Sequence, residues 1–503
     1  MAELLQIRNG EAVKRSDIPC LPMDRFRRLL LDFAAGDGYV VQFFAFAEGG
    51  TNRLLAVVRN QDLHVIATEV GDAFPSLTAD NPKFHMFERE IAEQYGIVPL
   101  GHPWLKMVRY HANCRGVPDV FGNDYSLDIP GNYPYFRIEG TAIHEVAVGP
   151  VHAGIIEPGH FRFQCAGEEV LSLEIQLGYQ HRGVEKLLTK VAAKRLPVIC
   201  ESIAGDTAIG HGLCCCEAVE ALAGIRVDFG DRIIRSIALE LERLANHVGD
   251  LGALSGDVAF NPPAAFFGRM RGEFLNLLLA LSGNRFGKSL VRPGGVSQRV
   301  ALDQAKMIEE KLKELTLELA HVADLLFSAH TVQARFEGTG RVSRAMAKDL
   351  GLVGCCGRAS GLDYDARVVF PTEAFAGMYV NRNDSVSGDV HSRAMIRKSE
   401  IFHSLGLIRT FLNMLKEAGE GDTLPDAPAL MPDALVVTVG EAWRGEVSHC
   451  VLTDESGKIE RYKIKDPSFH NWTGLAMALR NQEISDFPLC NKSFNLSYCG
   501  FDL

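Results

Sequence analysis

The 503-residue chain is long enough for roughly two to four domains and a large buried core. Its composition, 47% hydrophobic and 23% charged, is that of an ordinary soluble protein, and a net charge of −11 argues against nucleic acid as a partner. The richest apolar run, Phe274 to Leu281, is far shorter than the ~18 residues a spanning helix needs, and the N-terminal stretch MAELLQIRNGEAVKRSD has no apolar signal core, so neither a transmembrane segment nor export is expected.

Residues 1–115 read as a small α+β module. Asp24 to Ala35 has helical spacing, with Phe26, Leu29, Leu30 and Phe33 on one face. Tyr39 to Ala47, Arg53 to Arg59 and His64 to Glu69 are short β-rich runs, broken by Gly49-Gly50 and by Asn60 to Asp62. Pro82 to Tyr95 reads as a helix that Gly96 ends. Residues 116–141 are rich in Gly, Pro, Asn and Asp, as in a linker or wrapping arm. From residue 142 to 503 a second, mainly helical domain is expected. It opens with strands and turns at Val146 to Glu157 and Phe161 to Leu177. Helical patterns follow at Tyr179 to Lys194, Leu213 to Ala223, Asp231 to Leu254, Ala264 to Leu281, Leu302 to Ser328 and Ser392 to Ala418. Ile234, Ile237, Leu241, Leu244 and Val248 form a core-facing stripe. Val436 to Val439, Glu446 to Leu452 and Ile459 to Ile464 return to strands. The fold class predicted is α+β, with β-hairpins at the periphery of the helical domain.

Twelve cysteines include the adjacent groups Cys214 to Cys216 and Cys355-Cys356, and no Cys-x-x-Cys spacing occurs. Such spacing suits neither a disulfide framework nor a zinc ribbon, and it offers no iron–sulfur motif. Reduced, mostly buried thiols are the expectation.

Motifs spread over nearly the whole chain carry a resemblance. Phe87-Glu88-Arg89-Glu90-Ile91, Tyr95-Gly96-Ile97 and Gly101-His102-Pro103 resemble the signature of the 30-kDa-type subunit of respiratory complex I. GPVHAGIIEPGHFRF (149–163), YQHRGVEKL (179–187), ELERLANH (240–247), SGDVHSR (387–393), EAWRGE (441–446) and DPSFHNW (466–472) resemble the related 49-kDa-type subunit and the nickel–iron hydrogenase large subunit. With both halves in one polypeptide, the chain resembles the formate-hydrogenlyase type of group 4, energy-converting hydrogenase large subunit.

In that family two cysteine motifs hold the metals. Here the first aligns with Glu201 to His211, placing Ala204 and Thr207 at the two cysteine positions. The closing motif aligns with Asn495 to Gly500, placing Ser497 and Gly500 there. A nickel–iron site needs soft thiolates; alanine and glycine have no ligand atom, and the hydroxyls of serine and threonine are hard and protonated at neutral pH. The resemblance therefore implies no metal bound by this chain. Cys499, read as part of an extended segment, shares a side with Ser497 and could replace one ligand at most.

Other positions match. Glu185 aligns with the carboxylate that relays protons from the metal site, a role that burial would favour by raising its pKa. Arg444 aligns with an arginine that overhangs the metal. Asp206 is a proton site or the partner of Arg444, and His211 lies beside the vacated positions. His152 and His160 fall in a loop that lines the quinone cavity of complex I, making them the candidate quinone contacts. No cofactor is expected on the chain itself beyond that quinone. The resemblance implies a small iron–sulfur partner subunit, membrane ion-translocating subunits, and a peripheral place on the cytoplasmic face of the membrane. Three readings stay open: an oxidoreductase subunit passing electrons to another acceptor, a redox-inactive scaffold, and a hydrogenase with displaced ligands.

Overall fold

The computed structural model describes residues 3–116, 120–122, 133–152, 156–378, 385–415 and 429–503. Residues 117–119 and 123–132 of the predicted 116–141 arm, and residues 416–418 of the predicted last long helix, lie outside these.

The first 115 residues form an α+β layer. β1 (Leu5–Ile7) and β2 (Ala12–Lys14) precede α1 (Met23–Ala35), then β3 (Tyr39–Glu48), β4 (Thr51–Arg59) and β5 (Leu63–Val70) follow as a meander. The antiparallel sheet runs β1-β5-β4-β3. Phe26, Leu30 and Ala34, spaced at one helical turn, bury α1 against it. A short parallel pair, β6 (Ala73–Pro75) and β7 (Val98–Leu100), brackets α2 (His85–Tyr95). Gly96 takes the left-handed conformation that closes this helix, as predicted. A 3-10 turn, Pro82–Phe84, takes the start of the predicted Pro82–Tyr95 helix.

β8 (Ile143–Val148), β9 (His160–Ala166) and β10 (Glu169–Gln176) form a second antiparallel sheet. The helix predicted over Tyr179 to Lys194 is not formed. It shrinks to α3 (Val184–Leu188), because Gly183 sits at φ 64° before it and a 3-10 turn, Ala193–Arg195, follows. Next come α4 (Leu196–Cys200), α5 (Ala208–Ala223), α6 (Phe229–Asp257) and α7 (Asn261–Ser282). The Asp228 carboxylate caps α6 by accepting from the Gly230 N–H at 2.9 Å. The stripe Ile234, Ile237, Leu241, Leu244 and Val248 is buried as expected. After the small β11 (Val291–Arg292) and β12 (Gly295–Val296) pair comes α8 (Leu302–Ser328). Then follow α9 (His330–Phe336), α10 (Arg344–Leu350), α11 (Gly354–Ala359), α12 (Ala366–Val369) and α13 (Val390–Leu415). Helix α6 packs against both α7 and α13.

The last sheet runs β15-β14-β13-β2, from β13 (Ala434–Ala442), β14 (Gly445–Thr453) and β15 (Ile459–Lys465). α14 (Ser468–Ala478), α15 (Phe487–Phe494) and α16 (Tyr498–Asp502) follow it. The closing segment, read as extended, is thus one turn of helix. Strand β2 leaves the first module to pair with β13, Val13 opposite Leu435. One hydrophobic core runs through both parts, from Phe26 and Phe87 to Phe469 and Phe501, with the Phe87 and Phe469 rings 5.2 Å apart. Among the described residues no helix is long and apolar enough to cross a membrane.

Candidate functional site

Three elements meet where the sequence places the positions aligned with the family's cysteines. The first is the turn into α5. Ala204 is fully buried and accepts the Thr207 N–H, and the free amides of Ile209 and Gly210 at the helix start donate to the Glu242 carboxylate at 2.7 and 3.1 Å. Burial pushes Glu242 up to about 8.

The second is the tight β13–β14 turn, whose two central residues are Trp443 and Arg444. It presses on α11 so closely that a Cβ on Gly445 would meet Gly354 backbone at 2.7 Å. The Arg444 guanidinium grips Asp206 with both forks, at 2.6 and 2.7 Å, and Arg444 Nε donates to the Asn495 carbonyl at 2.6 Å. Arg444 and the Trp443 indole also donate to the Thr207 hydroxyl, at 3.2 and 3.1 Å. Burial would raise Asp206, but Arg444 and Thr207 together hold its carboxyl below the usual range. Its side chain is still 34% exposed, so the ion pair is reached from one face of the molecule.

The third is the closing segment. Ser497 caps α16 by accepting the Gly500 N–H at 2.9 Å. Asp466, between β15 and α14, is fixed by the Ser468 N–H at 2.8 Å and by His211 Nε2 at 3.0 Å. A Cβ on Gly500 would lie 2.8 Å from both Asp466 Cγ and Oδ2 and 2.9 Å from Ser497 Oγ. The carboxylate therefore fills the space in which a cysteine at position 500 would place its side chain. His211 continues from Asp466 to His449 Nε2 (3.2 Å), and His449 Nδ1 meets the Tyr462 hydroxyl at 2.9 Å. Burial, with His211 beside it, holds His449 well below the usual histidine range.

The structure thus brings together Asp206, Arg444, His211, Ala204, Thr207, Ser497 and Gly500. Of the two roles expected for Asp206, the geometry shows the partner of Arg444. Glu185 stands on the far side of β15, accepting from Ile464 N (3.0 Å), Lys463 Nζ (2.9 Å) and Arg461 Nη1 (3.0 Å). Its expected raised pKa is not found. Burial pushes upward, but Lys463, Arg461 and Arg109 outweigh it and hold the carboxyl far below the usual range. His152 and His160 lie in the β8–β9 hairpin, their ring nitrogens directed to the carbonyls of Gly159 (2.9 Å) and Gly149 (3.1 Å). That loop touches the closing helix through Glu157, which accepts from the Tyr498 and Cys499 amides.

Asp466, His449, Tyr462 and Glu242 were missed in the sequence. Asp466 and Glu242 stood inside the quoted DPSFHNW and ELERLANH stretches; His449 and Tyr462 carried no local signal.

The donor set does not fit a nickel–iron group. The three consecutive cysteines of α5 point into different clusters: Cys214 beside Ala442 and Val447, Cys215 among Leu196 and Tyr462, Cys216 in the main core. Successive helical residues diverge by ~100°, so they cannot converge on one ion. Burial pushes all three thiols well above their usual range. Cys499 Sγ is 3.5 Å from Ser497 Oγ, and burial and Glu157 raise it to about 12. A separate buried set, His247, Cys355 and Glu400, lies beneath Trp443. Arg358 (2.6 Å) and Arg243 (3.5 Å) already neutralise Glu400, which leaves that set an ionic network.

The family profile described as "Respiratory-chain NADH dehydrogenase, 49 Kd subunit" matches residues 257–430 and 427–502. The chain is 30% identical over 353 residues to the carbon monoxide-induced hydrogenase of Rhodospirillum rubrum, covering 70% of this chain and 97% of that protein. It is 26% identical to hydrogenase-4 component G of Escherichia coli, over 92% of this chain and 80% of the relative. It is 25% identical to the C/D subunit of the NADH-quinone oxidoreductase of Nitrosospira multiformis, over 86% of this chain and 79% of the relative. The chain belongs to the family that joins the large subunits of group 4 hydrogenases to the 49-kDa-type subunit of respiratory complex I.

Proposed function

We propose that this chain is the large subunit of a membrane-bound oxidoreductase complex that has lost its nickel–iron centre. Electrons arriving at the iron–sulfur cluster of a small partner subunit pass to an organic acceptor, with quinone the first candidate, and the transfer drives ion movement through membrane subunits. The subunit sits peripherally on the cytoplasmic face. The observation that carries this reading is the Asp466 carboxylate in the side-chain space of Gly500, anchored by His211, with no thiolate at any of the four positions. The decisive measurement is the nickel and iron content of the complex purified with its partners, together with hydrogen uptake by a dye. Iron matching the partner clusters alone, and no uptake, is expected. Stoichiometric nickel would sink the proposal.

The scaffold reading has its own support in the bidentate Asp206–Arg444 pair, a neutralised plug at the mouth of the old site. Replacing His152 and Glu185 separates the two readings. A subunit that conducts electrons loses turnover in a fully assembled complex, whereas a scaffold loses only assembly.

A further inference from the structure

A cavity of about 790 Å³ opens between α2, residues 104–108, residues 133–138, β10 and α14, where the first module meets the later chain. Neither Asp206 nor Arg444 lines it, and Phe501 of the closing helix stands in its wall. Small-molecule sites favour cavities of this size at such seams.

Much of the wall is apolar. Met86, Tyr133, Leu173, Leu177 and Trp472 are buried in it. The charges in the wall do not balance. Four cations, Arg89, Lys106, Arg137 and Arg480, share it with one carboxylate, Glu174, in a chain whose net charge is −11. Glu174 is already taken by Lys106. Arg137 has Glu145 at 3.4 Å and stands largely in solvent. Arg480 is exposed, with no carboxylate paired to it among the described residues.

Arg89 is the unusual member. It is 5% exposed, yet its guanidinium meets only neutral groups. Nε and Nη2 donate to the carbonyls of Lys106 and Met107, each at 2.8 Å, and Nη2 also reaches the Tyr133 hydroxyl at 3.4 Å. Nη1 meets the Met86 sulfur at 3.3 Å, a weak acceptor. The Trp104 ring lies 4.8 Å from the guanidinium carbon. A buried guanidinium without a counter-anion is costly and uncommon. An anion in the cavity would supply that counter-charge, and the attraction is stronger there than in water.

We propose that this cavity binds an amphipathic organic acid, with its apolar body on the leucine, tyrosine and tryptophan wall and one acidic group offsetting the excess of cations. The inference concerns binding alone and does not rest on the electron transfer proposed above.

The test uses the purified full chain and two fluorescent probes, 1-anilinonaphthalene-8-sulfonate and N-phenyl-1-naphthylamine, which has the same rings without the sulfonate. Both brighten when they leave water. The anionic probe should saturate at one per chain and bind at least fivefold more tightly than the neutral one. Added salt should narrow that gap. Arg480→Gln should weaken the anionic probe by about threefold or more, and Glu174→Gln, which removes the wall's carboxylate, should tighten it. Both changes should leave the neutral probe within twofold of its original affinity. Ala476→Trp, which fills the cavity from α14, should abolish binding of both probes. Arg480 is exposed, so its replacement stays informative if Ala476→Trp does not fold. Displacement of the anionic probe by 2-naphthoate or by decanoate would tell a ring body from an acyl chain. Failure of both to displace it, equal affinities for the two probes in the unaltered chain, weaker anion binding in Glu174→Gln, or binding that survives a folded Ala476→Trp would each overturn the proposal.

Discussion

At Gly500 the difference between glycine and any other residue is a few tenths of an ångström of free space. The Asp466 carboxylate is held from two sides, by Ser468 N–H and His211, and has nowhere to go. Gly500→Ala should therefore destabilise the chain by about 1–3 kcal/mol, as overpacked sites do, read from urea unfolding. Because the clash is with one side chain, combining it with Asp466→Ala should cost less than the sum of the two single changes. Strict additivity would show that Asp466 does not occupy the site. At Arg444, Lys would keep the charge and lose the fork, so Arg444→Lys retains at most one of the two bonds to Asp206. Its effect should appear as faster hydrogen exchange at residues 205–208, and an unchanged pattern would argue against the pair as a clasp.

At the scale of elements, α16 is tied down through Asp502, whose carboxylate accepts from the Gly178 and Gln180 amides at 2.7 and 2.8 Å. Burial raises this carboxyl to about 6. A carboxyl whose folded pKa is raised contributes stability that is complete below about 4 and is lost as pH rises through about 6. Hydrogen exchange of residues 178–180 and 499–503, corrected for its intrinsic pH dependence, should thus show weaker protection at pH 8 than at pH 5. The reverse order would refute the assignment. The elements also show what could be read in advance. α6 and α8 carry long 3.6-residue stripes; α8 was placed to the residue and α6 to within three residues at each end, and strands β14 and β15 to within one. The helix over Tyr179 to Lys194 failed because Gly183 turns the chain just before α3 and a 3-10 turn takes the far end, leaving only Val184–Leu188 as α-helix. α14 to α16 are too short for periodicity to reveal. In the site, Ala204, Thr207, Ser497 and Gly500 were named from the sequence by alignment, since that is a statement about positions. Asp466 against Gly500, and His449 between His211 and Tyr462, join residues far apart along the chain, so only the folded chain displays them.

At the scale of the whole molecule, buried ion pairs stitch the two parts together. Arg59 of β4 meets Glu446 of β14 at 2.7 Å, Lys465 meets the other Glu446 oxygen at 2.6 Å, and Lys463 bridges Glu90 and Glu185 at 2.7 and 2.9 Å. All are nearly inaccessible to water, so removing one partner strands the other. Glu446→Gln should lower stability by about 3–5 kcal/mol, seen as a lower Tm in calorimetry. Burial pushes Glu446 up, but Arg59 and Lys465 prevail and hold it far below the usual range. A depressed carboxyl contributes stability above its unfolded value, and that contribution is lost as pH falls from about 4 toward the folded value. The parent protein should therefore lose Tm steeply below pH 4, and Glu446→Gln should lose it less steeply. Parallel acid curves would contradict this account.

Strand β2 leaves the ribosome long before β13, the strand it pairs with, since the core of that sheet comes after residue 433. At ~5–20 residues per second, β2 waits tens of seconds for its partner to emerge. During that interval Ala12 to Lys14 is an unclaimed strand, and the first module can close around β1, β3, β4 and β5 without it. Translation thus divides assembly into an early step, complete in the first module, and a late one that captures β2. A nascent chain stalled before residue 434 should have residues 9–17 open to protease while β3 to β5 are already protected.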